Sequence, residues 1–152
     1  MSNSKYTVLF VVLVFVFGCT TQQKLSKTEI TKSFEEFSNR FYTDSLFQMR
    51  SIKFPLKGLH NVEAPVTSKN TVGDSIISAW EKKDWRMLTN MYFPNNETKA
   101  VIDGTTYLRK IQVKGNMVTI KTYIEDSGFC DTEKFALQKG KWVLINFSSM
   151  NY

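Results

Sequence analysis

Residues 106–147 read TYLRKIQVKGNMVTIKTYIEDSGFCDTEKFALQKGKWVLINF and contain four strand-like segments. Each segment is rich in β-branched and aromatic residues, and a glycine-containing turn separates it from the next. Connections this short join antiparallel neighbours, so the stretch predicts an antiparallel meander. The predicted strands are Thr106–Val113, Met117–Ile124, Asp131–Leu137 and Lys141–Phe147. In the second strand Val118, Ile120 and Ile124 share one face, which indicates a sheet packed on one side.

A helix with a clear start signal lies upstream of the meander. Ser26 and Glu29 have the spacing of a capping box. The apolar residues that follow recur at intervals of four, three and four, which predicts a helix over residues 27–42 with one apolar stripe. The stripe consists of Ile30, Phe34, Phe37 and Phe41. Helices first and a sheet afterwards predict an α+β fold with this helix in the concavity of a curled sheet.

The region between this helix and the meander gives weaker signals. Asp44 is a suitable N-cap for a second short helix ending at Arg50, followed by extended chain over residues 52–54. Residues 56–72 are turn-rich and include the chain's one histidine, His60.

Residues 76–81 fit either a strand or a helix, because Ile76 and Trp80 suit both periodicities. We favour a strand to about residue 82, and then a short helix capped by Asp84 with Trp85 and Leu88 on one side.

The first 18 residues have the layout of an export signal. A short basic start precedes an apolar run from Tyr6 to Phe17 that is too short to span a bilayer comfortably. The sequence VFGC (residues 16–19) resembles the bacterial lipobox, so we expect lipidation of Cys19. This predicts a removed signal over residues 1–18, a lipid-anchored tether over 19–25 and one domain over 26–152. The alternatives are an ordinary cleaved signal with an incidental cysteine, and an uncleaved anchor helix.

The tether confines the domain to the membrane surface. Several acyl chains on one terminus hold a protein firmly, and the six residues after Cys19 reach about 20 Å. Thr20 is not the aspartate that favours inner-membrane retention, and the acidic cluster of surface-exported lipoproteins is missing after Cys19. We therefore expect the outer membrane and its periplasmic face.

Charge and cysteine content exclude several classes. Loss of the signal, with one lysine and no acid, lowers the net charge from +6 to +5. Basic residues are scattered in pairs such as Lys82-Lys83 and Arg109-Lys110, so no nucleic-acid partner is expected. With Cys19 lipidated, Cys130 has no intramolecular disulfide partner and is either an inert small side chain or a reactive thiol. Strand alternation places it on the more polar face.

Two segments carry a family resemblance: FYTDSLFQMRSIKFPL (residues 41–56) and WEKKDW (residues 80–85). They resemble a family of uncharacterised Bacteroidetes lipoproteins, and the resemblance covers nearly all of the mature chain. It implies an NTF2-like cone, with N-terminal helices packed on a curved antiparallel sheet. It implies no particular activity, because such cones include enzymes, binding proteins and assembly modules.

Motifs for the common chemistries are missing from the sequence. One histidine and one free cysteine cannot build a zinc or iron site, and there is no phosphate loop, dinucleotide fingerprint or nucleophile elbow. We therefore predict neither a metal nor a cofactor, and a structural role for His60. Asp44, Asp84, Glu125 and Asp126 are candidate acids for an NTF2-like enzyme, but each is explained more simply as a helix cap or turn residue.

Candidate ligand or partner contacts remain. Arg50 offers a bidentate clamp for a carboxylate at the cone mouth, although a purely structural role at the helix-to-strand turn explains it and Gln48 as well. The other candidates are aromatic residues that the predicted core does not obviously use: Trp80, Trp85, Tyr107, Tyr123 and Trp142. The sequence favours a non-enzymatic, membrane-tethered module that binds an envelope protein or a small ligand. The alternative is a small-molecule-transforming enzyme of the isomerase or dehydratase type, with an acid in an apolar cavity.

Overall fold

The computed structural model of the chain describes residues 25–62, 75–89, 93 and 97–150. Two helices open the described chain, α1 (Lys27–Phe41) and α2 (Ser45–Arg50). The strands that follow are β1 (Ile52–Val62), β2 (Ser75–Trp80), β3 (Lys99–Ile102), β4 (Thr105–Lys114), β5 (Met117–Ile124), β6 (Cys130–Gln138) and β7 (Lys141–Met150). A turn of 3-10 helix, Lys82–Asp84, follows β2.

These strands form one sheet in the order β2-β1-β7-β6-β5-β4-β3. Neighbours are antiparallel except β1 and β7, which run parallel. The predicted meander is therefore confirmed as β4 to β7. The predicted α+β fold, with N-terminal helices on a curved and mostly antiparallel sheet, is confirmed as well.

Local side-chain bonds fix both helix starts as predicted. The Ser26 hydroxyl accepts a hydrogen bond from the Glu29 N–H (3.2 Å), and the Glu29 carboxylate accepts one from the Ser26 N–H (2.8 Å). Asp44 caps α2 by accepting from the Phe47 N–H (2.9 Å). Each bond satisfies an amide that has no partner within the helix.

The core lies between α1 and one half of the sheet. The ring of Phe34 lies 5.1 Å from Phe135 and 5.1 Å from Trp142, centroid to centroid. Phe37 lies 5.7 Å from Phe135. Burial of side chains this large stabilises the fold by roughly 1.5–3 kcal/mol each. The predicted stripe therefore faces the sheet, as expected.

A bulge extends the apolar face along β7. Lys134 pairs with Asn146 but Phe135 pairs with Leu144, so Ile145 is an extra residue in β7. The extra residue reverses the alternation, which lets Leu144 and Phe147 both point into the protein.

Two expectations about the middle region were wrong in part. Residues 56–62 belong to β1, so His60 is in a strand rather than a loop, because β1 pairs with both β2 and β7. The strand over residues 76–80 is confirmed, but Asp84 ends the 3-10 turn instead of capping a helix, and no helix spans Trp85 and Leu88. Strand β3 was not predicted.

The predicted signal, Cys19 and the tether up to residue 24 lie outside the described residues, as do residues 63–72 of the turn-rich region. Among the residues that are described, no helix is both long and apolar enough to cross a membrane.

Candidate functional site

A row of polar residues crosses the inner face of the sheet beyond the end of α1. Arg109 on β4 pairs with Thr122 on β5, which pairs with Asp131 on β6, which pairs with Ser149 on β7. Strand alternation puts these four side chains on the same face as Phe135. The row interrupts an otherwise apolar face.

Arg109 is the most deeply buried charge of this row, with 4% of its surface exposed. Its guanidinium carbon lies 5.5 Å from the centroid of the Phe93 ring, in a cation–π arrangement. In the sequence, Arg109 and Lys110 form one of the scattered basic pairs. The alternation of β4 separates them, because it turns Arg109 inward and leaves Lys110 outside.

A carboxylate and a phenol form the closest polar contact of the site. The Tyr42 hydroxyl, just past the end of α1, donates a 2.6 Å hydrogen bond to the Glu133 carboxylate on β6. Glu133 lies on the same face of β6 as Asp131, two residues along the strand, and pairs with Phe147 on β7. The bond therefore joins the helix layer to the sheet at the edge of the core.

Burial raises the pKa of Glu133 to about 7. The hydrogen bond from Tyr42 and the charge of Arg109 each lower this pKa, and the neighbouring Asp131 raises it. Desolvation therefore outweighs the two groups that favour the carboxylate. Glu133 exchanges its proton close to neutral pH.

The other two acidic groups are perturbed by the same cause. Burial, and then the charge of Glu133, raises the pKa of Tyr42 well above its usual range, so the phenol stays protonated. Burial also raises the pKa of Asp131, although a hydrogen bond from Ser149 lowers it. The Oδ1 atom of Asp131 is buried and accepts no hydrogen bond from the described part of the chain.

These polar groups meet at a cavity of about 200 Å³. Both apolar and polar side chains line it: Tyr42, Met87, Leu88, Thr89, Phe93, Arg109, Thr122, Asp131, Glu133 and Phe147. The sheet and Tyr42 supply the polar side, and Met87 and Leu88 supply much of the apolar wall.

Gln48 holds that wall in place. Its amide nitrogen donates to the carbonyls of Phe41 (2.8 Å) and Leu88 (2.9 Å). Its amide oxygen accepts from the Leu88 N–H (2.9 Å) and the Trp85 indole N–H (3.3 Å). Gln48 therefore has a structural role, but its partners are Phe41, Trp85 and Leu88 and not the carbonyls of the helix-to-strand turn where the sequence placed that role.

A larger groove of about 590 Å³ adjoins the cavity and shares Met87, Leu88 and Phe147 with it. Trp80 and Trp85 line this groove, with ring centroids 5.9 Å apart. Their indole N–H groups are used inside the protein, by the Phe147 carbonyl (2.7 Å) and by Gln48 (3.3 Å). The groove therefore presents aromatic surfaces.

The other candidates from the sequence are dispersed. Arg50 is exposed at the end of α2 and does not line the cavity. Trp142 belongs to the core and donates to the Ser33 hydroxyl (3.2 Å). Tyr107 packs edge-on against Phe129, with centroids 6.0 Å apart. Of the six residues proposed, Trp80 and Trp85 are the two that the structure places together in the groove.

One tyrosine and one cysteine lie away from the cavity. Tyr123 is on the outer face, where the ammonium groups of Lys110 and Lys121 lie 5.1 and 5.5 Å from its ring centroid. Cys130 is a half-buried free thiol, with its sulfur 3.8 Å from the Thr132 hydroxyl.

The acids named from the sequence do not line the cavity at Glu133. Asp44 caps α2, Glu125 and Asp126 occupy the exposed turn after β5, and Asp84 lies on the exposed rim of the groove. Sequence reasoning missed Tyr42, Arg109, Asp131 and Glu133. A usable signal existed for Asp131 and Glu133, because the alternation that buries Phe135 places both on its face.

No group of three or more histidine, cysteine or acidic residues suited to a metal ion occurs in the part of the chain that the structure describes. Two carboxyl groups, a guanidinium and a phenol are instead equipped to hold a polar group by hydrogen bonds, or to exchange a proton with it.

Comparison with known proteins identifies a family. The sequence profile of a family of uncharacterised Bacteroides proteins matches residues 32–152. The chain belongs to this family. The match includes both segments that carried the resemblance, and it includes Tyr42, Arg109, Asp131 and Glu133 of the cavity. None of the curated proteins is significantly similar to this chain.

Solved structures resemble this family member in fold. A cystatin-like protein from Bacteroides caccae ATCC 43185 is 21% identical, with a TM-score of 0.56 over 76% of this chain and 74% of that chain. A protein from Bacteroides uniformis ATCC 8492 is 21% identical, with a TM-score of 0.55 over 78% and 75%. An NTF2-like protein from Bacteroides fragilis NCTC 9343 is also 21% identical, with a TM-score of 0.47 over 78% of this chain and 47% of that chain. Similarity at this identity concerns the fold alone.

Proposed function

We propose that the protein is a lipid-anchored binding module of the bacterial cell envelope, and that the cavity at Glu133 holds a small ligand. The observation that carries the proposal is the convergence of Tyr42, Arg109, Asp131 and Glu133 on one cavity with apolar walls. Concave sites with apolar walls and a few convergent polar groups are the usual form of small-ligand sites.

The polar groups are poorly explained as a device for stability. Replacement of a buried ion pair by well-packed apolar residues is often neutral or stabilising. Here the remainder of the inner face is apolar, so apolar residues at positions 109, 131 and 133 would extend the core. The charged groups surround a space instead, and perturbed groups around a cleft are typical of functional sites.

Binding is favoured over catalysis by the bond between Tyr42 and Glu133. Its 2.6 Å length means that the phenol already donates to the carboxylate. A phenol used in this way is not free to donate to a developing oxyanion, and Glu133 shares one acceptor oxygen with it. The hydrogen bond therefore holds both side chains in place at the wall of the cavity.

A second candidate, an enzyme of the isomerase or dehydratase type, is favoured by one observation. The pKa of Glu133 is about 7, which suits a general acid or base at physiological pH. In this candidate Glu133 moves a proton on a substrate, and Tyr42 must turn from Glu133 to the substrate.

The ligand test uses a cavity-filling variant. Thr122→Phe would fill the cavity from β5, and Thr119→Phe is the matched control on the outer face of the same strand. A library of small polar compounds is screened for a rise in the melting temperature of the purified protein. We expect hits that stabilise the wild type and Thr119→Phe but not Thr122→Phe. The absence of hits, or hits unaffected by Thr122→Phe, would contradict the proposal.

Glu133→Gln separates the two candidates. The amide keeps an acceptor for Tyr42 but cannot transfer a proton in the same way. A binding module incubated with a hit returns it unchanged, and the variant still binds it. An enzyme converts the hit to a product visible by NMR, and the variant binds without conversion.

The membrane tether has its own test. Residues 1–19 of the sequence support a cleaved signal and a lipidated Cys19, with the domain at the periplasmic face of the outer membrane. We expect the Cys19→Ser variant to be lost from the washed membrane fraction. Retention of the uncleaved variant in that fraction would mean that residues 6–17 act as an anchor helix.

A further inference from the structure

We propose that the ligand of this cavity is a small organic amine, with its ammonium group at Asp131 and its apolar body in the groove along Trp80 and Trp85. This inference rests on the proposed binding function and adds the chemical class of the ligand.

The charge of the cavity favours a cationic ligand. Its described lining contains two carboxyl groups, Asp131 and Glu133, and one cation, Arg109. One carboxylate is therefore left without a cation when both are ionised, and an ammonium group would supply the missing charge.

Asp131 is the carboxylate in need of a partner. Glu133 receives the Tyr42 hydrogen bond and is stabilised as an anion by Arg109. Within the described ranges, Asp131 accepts a hydrogen bond from the Ser149 hydroxyl, and its Oδ1 atom is buried and accepts none. A buried, under-satisfied carboxylate is costly, so a cationic donor beside it gains more than a neutral donor would.

Repulsion from Arg109 is limited by the arrangement of the row. Thr122 lies between Arg109 and Asp131 in the cross-strand order, so the two charged residues are two strands apart. Strands lie about 4.8 Å apart. Glu133 is close enough to Arg109 for the guanidinium to lower its pKa, and it offsets that charge.

The groove that opens beside Asp131 suits the apolar body of such a ligand. Phe147 lines both spaces, and Ser149, the hydrogen-bond partner of Asp131, lines the groove. The ring centroid of Trp85 lies 5.5 Å from that of Phe147 and 5.9 Å from that of Trp80. Aromatic surfaces of this kind attract both apolar bodies and cations. An ammonium group at Asp131 thus places a short apolar chain directly against aromatic rings.

The test compares three probes that differ only at the polar end: 2-phenylethylamine, 2-phenylethanol and phenylacetate. Their affinities for the purified full chain in detergent are measured by calorimetry. We expect the amine to bind roughly tenfold or more tightly than either other probe, since a desolvated charge pair contributes that much. Asp131→Asn should abolish the preference, and Asp126→Asn, which alters an exposed acid of the turn after β5 that lines neither space, should preserve it.

The outcomes separate this inference from the proposed function. Tighter binding of phenylacetate would mean that Arg109 holds the ligand, which overturns the amine but keeps a ligand site. Equal binding of the alcohol, or a preference unchanged in Asp131→Asn, also overturns the amine. The wild-type comparison alone decides the matter if Asp131→Asn fails to fold. No binding of the amine at millimolar concentration rejects the inference, while the Thr122→Phe screen still tests the binding function.

Discussion

At the scale of single residues, the position of Glu133 determines the chemistry of the site. Two residues farther along β6, Phe135 is fully buried in the core, whereas Glu133 faces the cavity and is bonded to Tyr42. The same desolvation that stabilises an apolar side chain destabilises a carboxylate. Its raised pKa is the expected consequence and links stability to pH.

Stability should fall as the pH rises through neutrality. The pKa of Glu133 is about 7 in the folded protein against 4.5 ordinarily, so the folded state binds its proton more tightly than the unfolded chain. The stabilisation is fully present below about pH 4.5 and is lost as the pH rises through about 7. Between pH 5 and pH 8, denaturant melts should show a loss on the order of 1–3 kcal/mol.

The variant Glu133→Gln should reduce this slope without abolishing it, because Asp131 has a raised pKa and contributes with the same sign. Glu36→Gln, on the exposed face of α1, is the control and should follow the wild type. A wild-type stability that rises over this pH range would contradict the proposed burial of Glu133.

Gln48 is the second residue with an effect beyond its own position. It is 1% exposed and joins α1, α2 and the cavity wall through four hydrogen bonds. We expect Gln48→Leu to lower the free energy of unfolding by about 2–4 kcal/mol, because it leaves buried partners unsatisfied. Gln112→Leu on the exposed side of β4 should change it by under about 0.5 kcal/mol. Similar losses in both would show that Gln48 does not hold the wall.

At the scale of elements, the contact of β1 with β7 leaves no room for a side chain at Gly58. A Cβ atom at Gly58 would lie 1.7 Å from the Phe147 carbonyl oxygen, and the φ of this glycine is +153°. That carbonyl also accepts the Trp80 indole N–H. The parallel pair and the aromatic groove therefore depend on a residue without a side chain.

Gly58→Ala should prevent folding or lower the free energy of unfolding by more than about 3 kcal/mol, because the strands would have to separate. Gly104→Ala is the matched control: its φ is also positive, but a Cβ atom there would meet no other atom within 4 Å. The control should lose about 1–2 kcal/mol. Circular dichroism melts measure both, and equal losses would contradict the close approach of β1 to β7.

Helix α1 provides the other test at this scale. Phe37 contacts five aromatic rings, those of Phe34, Phe41, Phe47, Phe135 and Trp142. Phe37→Ala should lower the free energy of unfolding by about 3–5 kcal/mol. Leu46→Ala, at a side chain that is 69% exposed, should have little effect. A loss below about 1 kcal/mol at Phe37 would mean that the stripe faces a partner instead of the sheet.

Local signals account for what could be predicted at this scale. The capping box at Ser26, the cap at Asp44 and the hairpins of the meander each depend on residues close in sequence. The parallel pairing of β1 with β7 joins residues about 90 positions apart, and no local pattern specifies it. The bulge at Ile145, which directs Phe147 inward, was hidden for the same reason.

At the scale of the whole molecule, the fold separates two tasks. One half of the inner face packs under α1 and stabilises the domain, and the other half, beyond Tyr42, forms the cavity and groove. The candidate site could not be predicted as a unit, because Tyr42 follows α1, whereas Arg109 and Glu133 come from β4 and β6. Only the complete sheet order brings them together. Trp80 and Trp85 were found because their aromatic surface stood out in the sequence.

The central claim is that the protein builds a desolvated polar cavity around Glu133, ready to hold a ligand. The most direct measurement is a carbon-13 NMR titration of the side-chain carboxyl groups, with Glu133→Gln to assign the resonance. We expect a midpoint near pH 7 for Glu133. A midpoint near the ordinary 4.5 would show that water reaches the carboxylate freely, and would contradict the cavity on which the proposed function depends.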